Sequence, residues 1–396
     1  MEHQTNHLVA IVAAKRTPMG QFLGQFQSVS AVDLGATAVR SCLEASGLDA
    51  RDVHEVLMGC VLPAGLGQAP ARQVALKAEL PDSVPATTLN KVCGSGMKTL
   101  MIAWDALQAE DQSVWIAGGM ENMSCAPYLL PSGRSGARLG HVSSQDHMFL
   151  DGLEDAYTGK LMGSFADQTA QAMNIDREMQ DEFALRSLQR AVEAQGLGVF
   201  KNEIAPVLVQ TRRQQHQVTE DEGPKTAKPE KIPTLKPAFS STGTVTAANA
   251  SSISDGAAAL VLTSQQRAQK KHLPVLAYMV GHATHAMAPE HFTLAPVGAI
   301  EKLLEQLSWS AAEVDLYEIN EAFAMVTLLA IQKLDLDPEK VNVYGGACAL
   351  GHPIGCSGAR IVVTLIHALR SKGLKRGVAA LCIGGGEATA IAVELP

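Results

Sequence analysis

The chain has 396 residues, 46% of them hydrophobic, 18% charged and only 4% aromatic, with 34 glycines. That is enough chain for two or more domains with sizeable cores. A formal net charge of −8 excludes a general nucleic-acid binder but leaves room for a local basic patch around a phosphorylated ligand.

No apolar run is long enough to span a membrane. The seven cysteines are odd in number and lack CxxC spacing, which argues against a disulfide framework or structural zinc and for reduced, cytosolic thiols. The first strand is expected to begin at about Leu8, leaving no room ahead of it for a signal or Arg-rich transit peptide. The expected location is cytoplasmic.

Leu8 to Ala13 is a short apolar run that reads as a buried strand. Lys15-Arg16-Thr17-Pro18 and a glycine-bearing loop follow. From Ser30 the spacing of Val32, Leu34, Ala38, Val39, Cys42 and Leu43 predicts a helix that stops at Gly47. Val53 to Val61 reads as a second buried strand, Pro70 to Lys77 as a helix, and Ala86 to Asn90 as a strand. That strand leads into Asn90-Lys91-Val92-Cys93-Gly94-Ser95-Gly96, followed by the helical pattern Met97, Leu100, Met101, Trp104, Leu107. Cys93 is therefore expected at or just before the first turn of a helix. Unpaired N–H groups and the helix dipole would favour a thiolate there. The alternative is a small buried cysteine capping a core helix. Ser113 to Ala117 reads as a strand ending in Gly118-Gly119, and the alternation of strands and helices points to a layered α/β protein.

Ser124 to about Thr246 has a different texture, rich in Gly, Ser, Gln, charge and proline, with helical segments such as Arg177 to Gln195 and an especially polar stretch from Gln210 to Pro237. It reads as a long inserted excursion of the kind that makes binding surfaces, or else as a poorly ordered surface insertion. The first texture returns at Asp255, with a core strand over Gly256 to Leu262.

Past Lys270 the second half repeats the first. Gly35 to Val53 resembles Gly298 to Val314, and Ser95-Gly96-Met97-Lys98 resembles Ser357-Gly358-Ala359-Arg360, an offset of 262 residues (357 minus 95). An apolar helix follows each copy (Thr99 to Leu107; Ile361 to Leu369). Each helix leads to a strand ending in glycines, Gly118-Gly119 or Gly384-Gly385-Gly386. A ligand site between duplicated α/β halves would draw residues from both.

Four loop stretches carry the candidate chemistry: Asn90 to Gly96; Asn320-Glu321-Ala322-Phe323, after a strand over Val314 to Ile319; Gly345 to Gly358, containing His352; and Cys382-Ile383-Gly384-Gly385-Gly386. At the repeat offset His352 falls on Asn90, so all four lie near the equivalent edge of the two halves, where α/β ligand sites gather. The set suits acyl transfer. A thiolate nucleophile needs a base or imidazolium partner, which His352 supplies. A second thiol, Cys382, can carry a proton to or from carbon, and glycine-flanked N–H groups can build oxyanion holes. Cys348 and Cys356 read as structural or incidental.

NxxCGSG, NEAF, GGxxALGHPIGxSG and CxGGG, with GTVTAxNAS and DGAAA between Gly243 and Ala259, resemble the thiolase family of acetyl-CoA acyltransferases in order and spacing, over essentially the whole chain. The resemblance implies a thiolase fold, a five-layered αβαβα core of two duplicated halves plus an inserted loop domain that lies over coenzyme A. Residues 1–123 and 254–274 would form the N-terminal half, 124–253 the inserted domain and 275–396 the C-terminal half. By the same resemblance Cys93 matches the acylated nucleophile, and His352 the base that activates it and helps form one oxyanion hole. Asn320 matches the residue that holds a water completing that hole, and Cys382 the acid/base for the second acetyl-CoA. The backbone N–H groups of Cys93 and Gly384 match the second hole. Ser251 matches a pantetheine-contacting serine, and Lys225 stands where many members carry an arginine beside the adenine.

The chain departs from the family at Leu161, where acetoacetyl-specific biosynthetic members read His-Met-Gly, while Met162 and Gly163 remain. Losing an imidazole there removes a polar contact near the acyl group. Ser252 replaces a usual glycine, and Phe292 falls where the acyl-pocket wall or plain core is expected. The implied activity is condensation of two acetyl-CoA to acetoacetyl-CoA, or thiolysis of short 3-ketoacyl-CoA, through an S-acyl-cysteine. The alternatives are a broader or longer-chain 3-ketoacyl-CoA thiolase of fatty-acid β-oxidation and a catalytically silent acyl-CoA binder. A decarboxylating ketosynthase would pair its cysteine with two histidines, and the second cysteine in CxGGG speaks against it. No metal or organic cofactor is implied, since acyl-CoA and CoA are substrates, and no nucleic acid or membrane is an expected partner. The resemblance implies a homotetramer or dimer, with part of Ser124 to Leu150 a candidate for tetramer contacts.

Overall fold

The helix expected after Ser30 runs Ala31–Ser46, and the sequence sets both its ends. The Ser30 hydroxyl accepts the Asp33 N–H, and Gly47, at φ 67, returns its own N–H to Leu43. Pro70 opens Pro70–Lys77 at the position where its missing N–H costs nothing. A computed structural model describes residues 8–109, 112–210 and 215–396. Residues 1–7, ahead of the first strand, and 211–214 of the polar stretch lie outside the described residues.

Nine strands line up in the order Leu316–Ile319, Arg376–Ile383, Glu387–Glu394, Ala277–Ala286, Val9–Arg16, Ser254–Ser264, Val114–Asn122, Glu55–Gly59 and Ala86–Leu89, and Gly20–Gln21 pairs beside Ser254–Ser264 as a tenth. Val9–Arg16 and Ala277–Ala286 pair over only Val9 to Ile11, so the ribbon is two sheets joined at a narrow seam. Along Ser254–Ser264, Ala257, Ala259 and Val261 face outward onto Ala31–Ser46, while Ala258, Leu260 and Leu262 face the central helices Ser95–Ala109 and Ile354–Lys372. In the other sheet Val378 and Ala380 face outward onto Ala295–Leu307, and Ala379 and Leu381 face the same central helices. Helices, sheet, central helices, sheet and helices make the expected five layers.

The central helices touch backbone to backbone. A Cβ on Gly96 would lie 3.0 Å from the Gly355 and Cys356 carbonyls, and one on Gly358 would lie 2.5 Å from the Met97 nitrogen. These two glycines are equivalent at the 262-residue offset.

The strand expected to end at Gly118-Gly119 instead continues to Asn122. A Cβ on Gly118 would sit 2.1 Å from the Ala258 carbonyl, and one on Gly119 2.0 Å from the Gly355 carbonyl. Glycine here permits close approach and does not end the strand.

Between Asn122 and Ser254 the described chain leaves the large sheet and forms Met162–Ala172, Arg177–Gly196, a hairpin of Val207–Gln210 with Gln215–Val218, and short turns. Fully buried Arg16 ties this excursion to the first strand through Glu203 (2.5 Å) and a two-pronged contact with Asp221 (2.7 and 2.9 Å). Removing one partner of such a buried set costs about 3–5 kcal/mol. Among the described residues no helix is long and apolar enough to cross a membrane.

Candidate active site

Strand Ala86–Leu89 delivers the Cys93 loop. The Asn90 side chain accepts the Val92 N–H at 2.9 Å, the Ser95 hydroxyl accepts the Lys91 N–H at 2.8 Å and donates to the Val92 carbonyl at 2.6 Å, and the helix begins at Ser95. Val92 is held at φ 46. A β-branched residue in that region is strained by about 1–3 kcal/mol, so the turn that presents Cys93 is held there by its surroundings. The backbone N–H groups of Gly384 and of Cys93 itself stand by the Cys93 sulfur and favour its charged form. Burial nevertheless pushes the thiol up to about 11, and the Glu121 carboxylate adds a smaller push in the same direction. Burial thus opposes the thiolate that the helix start was expected to favour. Desolvation of the charged form outweighs the N–H donors.

His352 is buried, on the turn that opens Ile354–Lys372, whereas Cys93 is partly exposed. Its Nδ1 lies 2.5 Å from the Ser357 hydroxyl, and that hydroxyl donates its single proton to the Pro353 carbonyl at 2.9 Å. With the hydroxyl proton so placed, Nδ1 is assigned as the donor to Ser357, which puts the lone pair on Nε2. Burial, assisted by the Arg360 charge, lowers the imidazole to about 3, so it rests neutral. Its Nε2 has no protein hydrogen-bond partner. Asn320 follows strand Leu316–Ile319, with its side-chain amide 3.4 Å from Nδ1 and its Oδ1 unpartnered. The single Nδ1 proton goes to Ser357, so the Asn320 amide at 3.4 Å is a neighbour of the ring and not a second acceptor of that proton.

Cys382 lies at the end of Arg376–Ile383, buried in an apolar cluster with Phe165, Phe292 and Phe323. Burial, and then the Cys93 thiol close by, push it well above the usual thiol range. The glycine turn follows, with Gly385 and Gly386 at φ 92 and 89. Gly384 sits between Val92 and Met162, each 3.6 Å from where its Cβ would be. Cys93 also packs in one apolar cluster with Ile354, two residues past His352. The structure thus gathers Cys93, Cys382, Gly384 and Met162, and separately locks His352 to Asn320 and Ser357.

A cleft of about 530 Å³ is walled by Leu161, Met162, Phe239, Phe323 and Ser251, among others, and is predominantly apolar. Leu161 is the residue just before Met162–Ala172. Phe292 is not in the wall. It is 2% exposed and packs edge-on against Phe323, with ring centroids 6.4 Å apart. Lys225 lines neither the cleft nor the recess beside it; it is exposed and paired with Glu220. The recess, which shares Gln21, Ala247 and Ser252 with the cleft, carries Lys228 and Lys231 instead. Their signal in the sequence is three lysines at three-residue spacing, Lys225, Lys228 and Lys231. Sequence patterning also does not single out Ser357, which bonds His352, or Glu121, which bonds the backbone at Val61, Leu62 and Gly355. The signal for Glu121 is a carboxylate inside an otherwise apolar strand.

Residues 9–266 match the family described as thiolase, N-terminal domain, and residues 273–395 the family described as thiolase, C-terminal domain. The chain is 48% identical over 390 residues to an acetyl-CoA acetyltransferase of Chromobacterium violaceum, covering 98% of this chain and 100% of that one. The crystal structure of the Bacillus anthracis acetyl-CoA acetyltransferase is similar at a TM-score of 0.96 and 41% identity, covering 98% of this chain and 99% of the other. A thiolase from Ascaris suum, crystallised in complex with coenzyme A, gives 0.93 and 42%, covering 98% and 100%. Two equivalent halves, each matched along nearly its full length, leave no part of the duplicated core outside the comparison: this chain belongs to the thiolase family.

Proposed function

We propose that this thiolase transfers acyl groups to and from coenzyme A through an S-acyl-Cys93 intermediate, condensing two acetyl-CoA to acetoacetyl-CoA and, in reverse, thiolysing short 3-ketoacyl-CoA. The observation that carries the reading is the arrangement at Cys93. Two backbone N–H groups converge on a nucleophile that rests as a thiol, and a neutral imidazole with its lone pair on Nε2 stands on the adjoining loop.

In thiolysis the Cys93 sulfur attacks the ketone carbon of the substrate while His352 Nε2 takes the thiol proton. The new oxyanion is received by the N–H groups of Cys93 and Gly384. Taking the proton converts Nε2 from acceptor to donor. Together with the Asn320 side chain, acting through a water, it then suits the thioester oxygen as the C2–C3 bond breaks and enolate charge develops. The departing carbon takes a proton from Cys382, and the thiol form that burial favours at Cys382 is the form this step needs. The Cys382 thiolate then accepts the proton of an incoming CoA thiol, whose sulfur attacks acyl-Cys93; the Cys93 sulfur leaves and recovers its proton from His352 Nε2 as acyl-CoA is released. Read backwards, Cys382 removes a proton from acetyl-CoA and the enolate attacks acetyl-Cys93.

Residues 124–253 are assigned as the cover over coenzyme A, with Ser251 on the pantetheine arm and Lys228 and Lys231, in place of Lys225, beside its phosphates. A homo-oligomer is proposed because the excursion exposes Tyr128, Leu130, Leu139 and Val142 (69%, 51%, 98% and 47%). A cytoplasmic location rests on seven free cysteines.

The test is CoA-dependent thiolysis of 3-ketoacyl-CoA substrates from four to sixteen carbons, with Cys93→Ala as control. Highest kcat/KM at four carbons supports the reading. A preference for longer chains would assign the apolar wall at Leu161 to the acyl group and make this a β-oxidation type. Absence of turnover with every substrate would overturn the reading. Leu161→His is expected to shift chain-length preference toward four carbons by about two- to tenfold in kcat/KM, the scale of one changed pocket contact; an unchanged profile would remove Leu161 from substrate choice.

A further inference from the structure

Glu121 is the penultimate residue of Val114–Asn122 and is completely buried. A carboxyl group is almost never fully buried without dedicated partners. Here most of the partners are backbone. Oε2 accepts from the Val61 N–H at 3.0 Å and the Gly355 N–H at 2.9 Å, and Oε1 accepts from the Leu62 N–H at 3.1 Å, with the Cys60 thiol 3.7 Å from Oε1. These bonds join three segments: the strand end of the N-terminal half, the turn after Glu55–Gly59, and the first turn of Ile354–Lys372 from the C-terminal half. Gly355 lies between Pro353 and Ser357, the two residues that fix the His352 tautomer. The approach is tight, since a Cβ on Gly355 would lie 2.7 Å from Glu121 Oε2. A carboxylate receiving an N–H from the first turn of a helix is also in the place where negative charge is favoured.

The repeat shows what is particular about this contact. At the 262-residue offset Gly355 falls on Cys93 and Glu121 on Ile383 (383 minus 262). The nearest counterpart lies one residue further along, at Gly94 against Ile383, where a Cβ on the glycine would lie 2.3 Å from Cδ1, with the Gly384 N–H by the Cys93 sulfur. Each half thus rests its catalytic loop on the strand end of the other half. One contact uses an apolar side chain and leaves an N–H for chemistry. The other uses a carboxyl group and consumes the N–H.

We infer that Glu121 is a positioning residue for acyl transfer, latching the start of the His352 helix onto the strand end of the N-terminal half and so setting the approach of His352 to Cys93. The inference rests on the S-acyl-Cys93 reading above. The charge of Glu121 also reaches the Cys93 thiol, and burial holds Glu121 itself at about 7 in spite of its N–H donors.

The experiment compares E121A and E121Q with wild type in thiolysis of acetoacetyl-CoA, together with amide hydrogen exchange in the peptide containing Gly355. E121A loses every acceptor. The E121Q amide oxygen can still receive the Val61 and Gly355 N–H groups. The expected result is a fall of about 10²-fold in kcat for E121A, the cost of about 1 Å of misplacement, with KM within about threefold. E121Q should recover most of that loss, and Gly355 exchange should be faster in E121A and near wild type in E121Q. A kcat for E121A within about threefold of wild type would overturn the inference, as would a loss confined to KM or unrelieved in E121Q. Wild-type protein without turnover would instead overturn the acyl-transfer reading, and the exchange result alone would then decide whether the latch exists.

Discussion

The Cys93 loop and the His352 loop occupy equivalent places in a duplicated frame, and they differ in where the helix starts. In the C-terminal copy the helix begins at Ile354, which corresponds to Val92. In the N-terminal copy it begins three residues later, at Ser95, after a turn strained at Val92. That late start takes Cys93 out of the helix and leaves its N–H pointing at its own sulfur and, in the reaction, at an oxyanion. In the other copy the equivalent N–H, that of Gly355, is bound by Glu121. The serines diverge in the same way. Ser95 spends its hydroxyl wholly on loop backbone, whereas Ser357 gives its proton to backbone and offers its lone pair to His352. One copy has become the nucleophile's turn and the other the mount for its base.

The largest test of this division is removal of each chemical group. Cys93→Ala should abolish thiolysis, by at least about 10⁴-fold, because no other group can carry the acyl intermediate. His352→Ala should cost about 10²–10⁴-fold, the range of a general base. An equal loss in both would mean that proton transfer and support of the thioester oxygen by the imidazole together matter as much as the nucleophile itself.

Next in size is the ionisation of the pair. Burial raises the Cys93 thiol to about 11 and lowers the His352 imidazole to about 3, so both shifts favour neutral forms and the resting state is thiol beside imidazole. Alkylation of Cys93 by iodoacetamide should therefore climb about tenfold per pH unit from about 7 to 10, following the thiolate fraction. A plateau reached by neutral pH would show a resting thiolate–imidazolium pair and refute this assignment.

The two serines separate the copies more finely. Ser357→Ala frees His352 to adopt the other tautomer and should lower kcat about 10²-fold with little change in KM, as expected when a reacting group is misoriented. Ser95→Ala removes two bonds to loop backbone, with Lys91 and Val92, and should cost about 1–2 kcal/mol of stability, with a smaller effect on rate than Ser357→Ala. Thermal melts and steady-state kinetics on both variants would show the contrast, and equal kinetic losses would erase it.

Much of this architecture is legible in the sequence, because local signals and tertiary demands agree. Ser30 and Gly47 bracket a helix by side-chain capping and positive φ, Pro70 opens another, and the repeated Ser-Gly pairs at 95–96 and 357–358 mark where two helices must touch. What is not legible depends on distant partners. Gly118 and Gly119 look like a strand end until the Ala258 and Gly355 carbonyls are seen against them. Cys93 looks like a thiolate at a helix start until its burial is weighed against the dipole. Lys225, Lys228 and Lys231 cannot be ranked from spacing, because which lysine meets the recess is set by the turn after Gly223 and its packing. Glu121 is the clearest omission. A lone carboxylate in an apolar strand signals a buried partner, but the partners are N–H groups from residues 61, 62 and 355, and backbone donors leave no mark in a sequence.

The smallest expected effect concerns the ion pair that crosses between the halves at the Cys93 loop. Lys91, just ahead of Val92, pairs with Glu387, the first residue of Glu387–Glu394 beyond the glycine turn; their side chains are 22% and 36% exposed. Partly exposed pairs of this kind contribute about 1 kcal/mol or less and are screened by salt. The Gly94 contact with Ile383 and the Ser95 bonds hold the same loop without charge. Lys91→Ala should therefore lower kcat only about two- to threefold at low ionic strength. High salt should bring wild type down to the level of the variant while leaving the variant unchanged. A loss of tenfold or more, or one insensitive to salt, would mean that the strained turn at Val92 depends on the ion pair, and that packing of Gly94 on Ile383 is too weak to hold the nucleophile in place.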